Sequence, residues 1–264
     1  MYVDNCITSV DSVEELESFQ RDAKELLAMG KFDLRGWLNS EESGQNFERK
    51  NEHQKADLTE AQVLGLAWNL EEDSLSVTYR ETETKGEFIT KRKILSLAHR
   101  IFHPIGVTCP ITLISKLLLQ ECWKIGASWD SKFPLDIGNK FESSRNQLVD
   151  LENIIISRKL LSLELKNANL SLHIFCDASK LAYATCVFLR TEKGGEVTCQ
   201  LIQARSKVAL LKGTSIPRLE LLACTIGVRL VTSIKKDLNM EDASSVFWTD
   251  SMDVLYWIKK EGHG

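Results

Sequence analysis

The sequence has no apolar run approaching the ~18 residues that cross a bilayer as a helix, so no membrane span is expected. Its opening residues, Met1-Tyr2-Val3-Asp4-Asn5, offer neither a basic flank nor an apolar core, so no secretory leader is read there. None of the seven cysteines forms a C-x-x-C pair, and the five histidines are dispersed. That argues against a disulfide framework or a zinc site and for a reduced intracellular compartment. No Asp-Thr-Gly or Asp-Ser-Gly loop occurs, which removes the chemistry of an aspartic peptidase. No Ser/His/Asp or Cys/His set is legible. A basic excess is missing too: the formal net charge is -4, so any nucleic-acid footprint must be local.

The chain's 264 residues are 43% hydrophobic, enough for one large core or two modest ones. Charged residues make up 27% with mixed sign, which argues against wholesale disorder. Near the start, Asp11-Ser12-Val13-Glu14 reads as a capping box with Asp11 as the cap. Val13, Leu16, Ala23, Leu26 and Leu27 then mark a helix that Gly30 ends. Phe32, Leu34 and Gly36 suggest a short strand, and polar residues 39–60 a loop. Val63 to Trp68 reads as one strand, paired with Leu75, Val77 and Tyr79.

Thr90 is a cap candidate for a helix with Ile94, Leu97, Ala98 and Ile101 inward and Lys91, Arg92, Lys93 and Arg100 outward. Pro110 opens another helix, with Ile111, Ile114, Leu117, Leu118 and Cys122 inward. Residues 129–145 read as irregular, and 147–161 as a short helical stretch. Trp68, Trp123 and Trp257 are expected in cores.

The last hundred residues change character. Strands are expected over 170–177, 182–190, 197–204 and 246–248, with a hairpin turn at Gly194-Gly195. A long helix follows Pro217, and a further one begins near Val254. This is an α/β (α+β) pattern with a mixed sheet. Asp177 and Asp250 close apolar strands, and Glu220 sits at the start of the long helix. Carboxylates so close to a core cost free energy unless paired or bound to metal. Taken singly, Asp177 reads equally as a turn residue and Glu220 as an acid favoured by the helix dipole. Arg205, Lys207, Lys212 and Arg218 fall within fourteen residues free of acids, suited to phosphate contact or to a solvated loop.

Phe175-Cys176-Asp177-Ala178-Ser179, Ile216-Pro217-Arg218-Leu219-Glu220-Leu221-Leu222-Ala223 and Phe247-Trp248-Thr249-Asp250-Ser251 resemble the ribonuclease H domain of Pao/BEL-type LTR retrotransposons. The resemblance implies that Asp177, Glu220 and Asp250 bind catalytic Mg2+ (two ions, with Mn2+ as substitute) and that RNA in an RNA–DNA hybrid is hydrolysed. It also implies a fourth acid, with a last strand and helix, beyond Gly264. Upstream, Tyr2-Val3-Asp4-Asn5 looks like the Tyr-x-Asp-Asp hairpin of reverse transcriptases, with Asn5 in place of an Asp. Phe32-Asp33-Leu34-Arg35-Gly36-Trp37 looks like the end of the palm, and Val63-Leu64-Gly65-Leu66-Ala67-Trp68 resembles the hairpin that follows it. Residues 92–106 and 118–123 are similar to the region named the Pao retrotransposon peptidase family.

The implied organisation is residues 1–165 as a remnant of reverse transcriptase palm, thumb and connection, and 166–264 as a ribonuclease H-like domain, C-terminally incomplete. Polymerase activity is not expected, because the fingers and most of the palm would precede Met1. The remainder of a Pol polyprotein is the implied partner, in cytoplasm or a virus-like particle. The alternatives are a non-enzymatic relic or nucleic-acid-binding module and, from the family label, a peptidase.

Overall fold

The computed structural model describes residues 7–10, 12–39, 60–79, 88–101, 104–160, 168–211 and 213–260. Tyr2, Asp4, Asn5, Asp11, Lys212 and almost all of the polar stretch 39–60 lie outside the described residues. The chain divides into two compact units, Met1–Lys55 and Ala56–Gly264.

In the first unit, α1 (Val13–Met29) is capped by Ser12, whose hydroxyl accepts from the Glu15 amide at 3.2 Å. The cap is therefore one residue later than the expected Asp11, and Ser12-Val13-Glu14-Glu15 supplies the same spacing. Trp37 meets Phe19 edge-on, with ring centroids 6.2 Å apart. The strand expected at Phe32–Gly36 does not form: residues 32–39 take no regular structure, and Gly36 turns to φ 67°.

Among its described residues the second unit holds two four-stranded sheets. The first has the order β1 (Glu60–Val63), β2 (Leu66–Asn69), β3 (Ser74–Val77), β4 (Ile155–Ser157), antiparallel throughout. The apolar run 63–68 is thus a hairpin and not one strand. Leu64 and Gly65 take φ 50° and 76°, so Val63 pairs with Leu66 across a two-residue turn. Asp73, at φ 49°, accepts two bonds from the Arg158 guanidinium and one from the Trp68 indole, tying the β2–β3 turn to β4.

Helices α2 (Lys91–Arg100), α3 (Cys109–Lys124) and α4 (Leu135–Asn146) share a core with this sheet around Leu66, Val77, Ile94, Leu118, Phe141 and Leu151. Thr90 caps α2 as expected. Three expectations are corrected in this layer. Residues 135–146 are helical: Pro134 stands at the cap, and Ile137, Phe141 and Ser144 recur at helical spacing on the buried side despite Gly138. The stretch after it is a 3-10 helix, Gln147–Asn153, that gives way to β4. On α3 the buried face is Thr112, Ser115, Leu118, Leu119 and Cys122, leaving Ile114 exposed, so two small polar residues stand where larger apolar ones were expected.

The tryptophan and lysine expectations also shift. Trp68 is core, whereas Trp123 and Trp257 are half exposed. Lys91, read as surface, is buried.

The second sheet has the order β7 (Glu196–Val208), β6 (Ala182–Lys193), β5 (Asn169–Ala178), β8 (Ser244–Trp248). The β5–β6–β7 meander is antiparallel, turning at Gly194 and Gly195 with φ 60° and 89°. Strand β8 joins β5 in parallel after the crossover through α5 (Ile216–Asp237), and α6 (Met252–Lys259) follows. Leu172, Ile174 and Cys176 alternate inward and pack with Val187, Ala223 and Leu230 under α5.

Close approach sets the height of α5. A Cβ on Gly227 would lie 2.8 Å from Ile174 Cγ2 and 3.0 Å from Cys176 Sγ. Beside it the buried Thr185 hydroxyl donates to the Ala223 carbonyl at 2.6 Å. The two halves of the unit meet along β7. The Ala204 amide donates to the Ile105 carbonyl at 2.8 Å, and Gln120 donates to the Ala209 carbonyl at 2.6 Å. Gly106, at φ +84°, lies so near that a Cβ would reach 2.0 Å from the Ala204 oxygen.

Candidate metal centre

The parallel pairing of β5 with β8 dictates where two acids fall. Phe175 is in register with Trp248, and two residues further on come Asp177, still in β5, and Asp250, just past the end of β8. Equivalent positions on neighbouring strands are about 4.8 Å apart, so the two carboxylates are neighbours by register alone. Glu220 arrives from α5. It is the fifth residue of that helix, one turn before the position beside the Thr185 anchor, and so lies just past the first turn. One carboxylate oxygen from each of Asp177, Glu220 and Asp250 lies within 4.8 Å of the other two.

Asp177 and Asp250 are exposed and Glu220 is buried. The Ala178 amide donates to Asp177 Oδ1 at 2.7 Å and to Glu220 Oε1 at 3.1 Å, linking strand end and helix through one proton. Ser179 holds the turn behind it, its hydroxyl accepting from the Leu181 and Ala182 amides. Glu220 Oε2 is buried with no hydrogen-bond partner. Burial pushes the Glu220 carboxyl above its usual range, the Ala178 amide opposes this, and the Asp177 and Asp250 charges add to the rise.

Three hard oxygen donors converging on one point, one with an orphaned buried oxygen, suit a divalent cation that prefers oxygen ligands. A cation there would supply the partner that Glu220 Oε2 lacks and cancel the repulsion among the three acids. Among the described residues this is the one grouping of three metal-ligating side chains so arranged.

The basic residues are less concentrated. Arg205 and Lys207 lie on β7, two strands away from β5, in register with Thr185 and Tyr183. Because Thr185 faces α5, Arg205 and Lys207 project on that same side of the sheet, where both are exposed. Arg218 is exposed two residues before Glu220. Sequence reasoning did not find the Ala178 amide, the Thr185 anchor or the close approach at Gly227. Only Gly227, a glycine inside an otherwise helical pattern, carries a sequence signal for its role.

An antiparallel meander joined in parallel by a fourth strand after a helical crossover, with two acids at the neighbouring strand ends and a third on the crossover helix, defines an RNase H-like protein. The chain belongs to the family described as "Pao retrotransposon-like RNaseH-like domain", whose model matches residues 90–251. It thus carries an RNase H-like domain of a retrotransposon Pol. That description names no peptidase. No curated protein matches the chain. Among solved structures it is similar to the "foamy viral protease-reverse transcriptase in complex with dsDNA", at 15% identity and a TM-score of 0.42. The match covers 96% of this chain and 48% of that one, so this chain spans about half its length. No helix among the described residues is long and apolar enough to cross a membrane.

Proposed function

We propose that this chain contributes the ribonuclease H centre of a retrotransposon Pol, hydrolysing RNA in RNA–DNA hybrids with two Mg2+ ions. The observation that carries this reading is the convergence of Asp177, Glu220 and Asp250 around a buried, unpartnered Glu220 oxygen. Asp177 and Asp250 would hold the ions, and Glu220 would hold one while orienting the attacking water. When bound, such ions activate a water and stabilise the leaving oxygen in phosphodiester hydrolysis. The Ala178 amide keeps the Glu220 carboxylate aimed into the cluster by fixing Oε1. Arg205, Lys207, Lys212 and Arg218 would contact backbone phosphates without reading sequence, and the hybrid would be recognised by groove shape and 2′-hydroxyls.

On this reading residues 166–264 form the nuclease domain. Residues 1–165 would correspond to palm, thumb and connection, with Tyr2, Asp4 and Asn5 at the polymerase hairpin. The separate apolar cores, one drawn from residues 66–151 and one from 172–254, support the division near 165.

The test is cleavage of an end-labelled RNA–DNA hybrid by the full chain in Mg2+, beside Asp177→Asn. The expected result is cleavage of the RNA strand that disappears in the variant. Folded wild-type protein that binds hybrid but never cuts it, in Mg2+ or Mn2+, would reduce the chain to a binding module.

A further inference from the structure

The α2–α3 layer carries a second feature that the nuclease centre does not use. Lys91, the first residue of α2, is buried, yet no carboxylate among the described residues forms with it an ion pair of the kind seen at Arg92 and Asp130. Its ammonium lies between two indoles, 4.3 Å from the ring centroid of Trp123 and 4.6 Å from that of Trp129. Each indole spends one face on the cation. Both remain about half exposed, at 53% for Trp123 and 44% for Trp129. The same pattern recurs next door, where the Lys132 ammonium sits 4.3 Å over the ring of Phe88, which is 63% exposed.

The surface is held in shape. The Arg92 amide donates to the Trp129 carbonyl at 3.2 Å, and the Phe133 amide to the Ile89 carbonyl at 3.4 Å. The Arg92 guanidinium grips Asp130 through two bonds of 2.8 and 3.0 Å. Segments 88–92 and 129–133 are therefore clamped side by side. The acids that flank the tryptophans are neutralised: Asp130 by Arg92, and Glu121 by Lys140 at 3.2 Å. What faces solvent is a ridge of three aromatic rings, with Lys91 buried against two of them and Lys132 exposed over the third.

A polar partner of ordinary composition gains little from such a ridge. An apolar helix would have to desolvate Lys132. A duplex hides its base faces inside the stack, so only its ends could use the rings. A single strand offers what fits: unstacked bases for the rings and phosphates for the exposed Lys132 ammonium. We propose that Phe88, Trp123 and Trp129 form a stacking platform for unpaired nucleotides of a single-stranded nucleic acid. The site is independent of the carboxylate cluster and needs no metal.

The experiment is fluorescence-anisotropy binding of a labelled 12-nucleotide oligo(dT) to the full chain in EDTA, which silences any nuclease. Trp123→Ala and Trp129→Ala are each expected to weaken binding at least fivefold, from the ~1–3 kcal/mol carried per stacked base. Trp129→Phe keeps both stacking and the contact with Lys91, so it should stay within about threefold of wild type. In case the alanine variants fail to fold, unsubstituted protein is photocrosslinked to a 4-thiothymidine-containing strand and the adducts mapped. Adducts on the peptides carrying Phe88, Trp123 or Trp129 are expected.

Adducts confined to other peptides, or alanine variants that bind like wild type, would overturn the proposal. So would failure of the wild type to bind the strand, including the case where sedimentation shows the ridge taken up by a second copy. None of these outcomes bears on hybrid cleavage, so the two readings fail separately.

Discussion

Gly227→Ala is the substitution that best tests how the carboxylate cluster is assembled. The new methyl carbon would start 2.8 Å from Ile174 Cγ2, 3.0 Å from Cys176 Sγ and 3.2 Å from Thr185 Cγ2. Ordinary carbon contacts need about 3.5–4.0 Å, so α5 must rise from the sheet by roughly 1 Å. Overpacking of this kind costs about 1–3 kcal/mol, against which helix propensity returns about 1 kcal/mol. The expected net change in stability is therefore small, about 0–2 kcal/mol. The change at the site is not small. Cys176 directly precedes Asp177, and Glu220 rides on the same helix two turns before Gly227. Lifting α5 opens the gap between Glu220 and the Ala178 amide, now 3.1 Å, and spreads the three ligands. Displacement of about 1 Å costs on the order of 100-fold in a positioned reaction. The assay pairs thermal unfolding with and without Mn2+ to hybrid cleavage. The variant should keep its fold and lose most of both metal responses. A variant stabilised by the full propensity gain, with its Mn2+ shift intact, would refute the close-approach reasoning.

Glu220→Gln should raise metal-free stability at neutral pH by about 1–2 kcal/mol, since its amide can donate to the neighbouring carboxylates, and should abolish the Mg2+-dependent rise in Tm. Because the folded Glu220 carboxyl is raised above its ordinary value, the metal-free wild type should lose stability as pH rises through that folded value, a slope absent in the variant. Gly106→Ala places a methyl 2.0 Å from the Ala204 oxygen at φ +84°. It should cost about 3 kcal/mol and make the 104–109 segment protease-sensitive while leaving the β5–β8 sheet folded. Asp73→Asn keeps the left-handed turn but loses the charge facing Arg158. It should cost about 1–3 kcal/mol in denaturant titration. Asp73 is partly buried, which would raise its carboxyl, but Arg158 and Trp68 hold it below its ordinary value. That stability is therefore present above the unfolded pKa and should fade as pH drops through the folded one.

Legibility from sequence followed the length of each pattern. The second sheet was readable because its strands are long, its hairpin turn carries Gly194-Gly195 and its acids close apolar runs. The register rule that makes Asp177 and Asp250 neighbours then needs only the parallel pairing. The α2–α4 layer was harder. Val63 to Trp68 hides a two-residue turn inside an apolar run, and α4 was masked by Pro134 and Gly138. Lys91 looked like surface because residue type says nothing about two indoles that come from elsewhere in the chain. The basic residues close in sequence fall on two elements, Arg205 and Lys207 on a strand and Arg218 on a helix.

The parallel seam between β5 and β8 also bears on the order of assembly. The meander β5–β6–β7 closes through local hairpins, which form early because little chain entropy opposes them. Strand β8 must find β5 across about 70 intervening residues, crossover helix included. Asp250 reaches Asp177 only after that search ends, and in register, since a slip of one residue would turn its side chain to the other face. On the proposed reading the three carboxylates are then a built-in completion signal: affinity for a divalent ion would depend on the β5–β8 pairing, and a copy without that pairing would lack the third ligand.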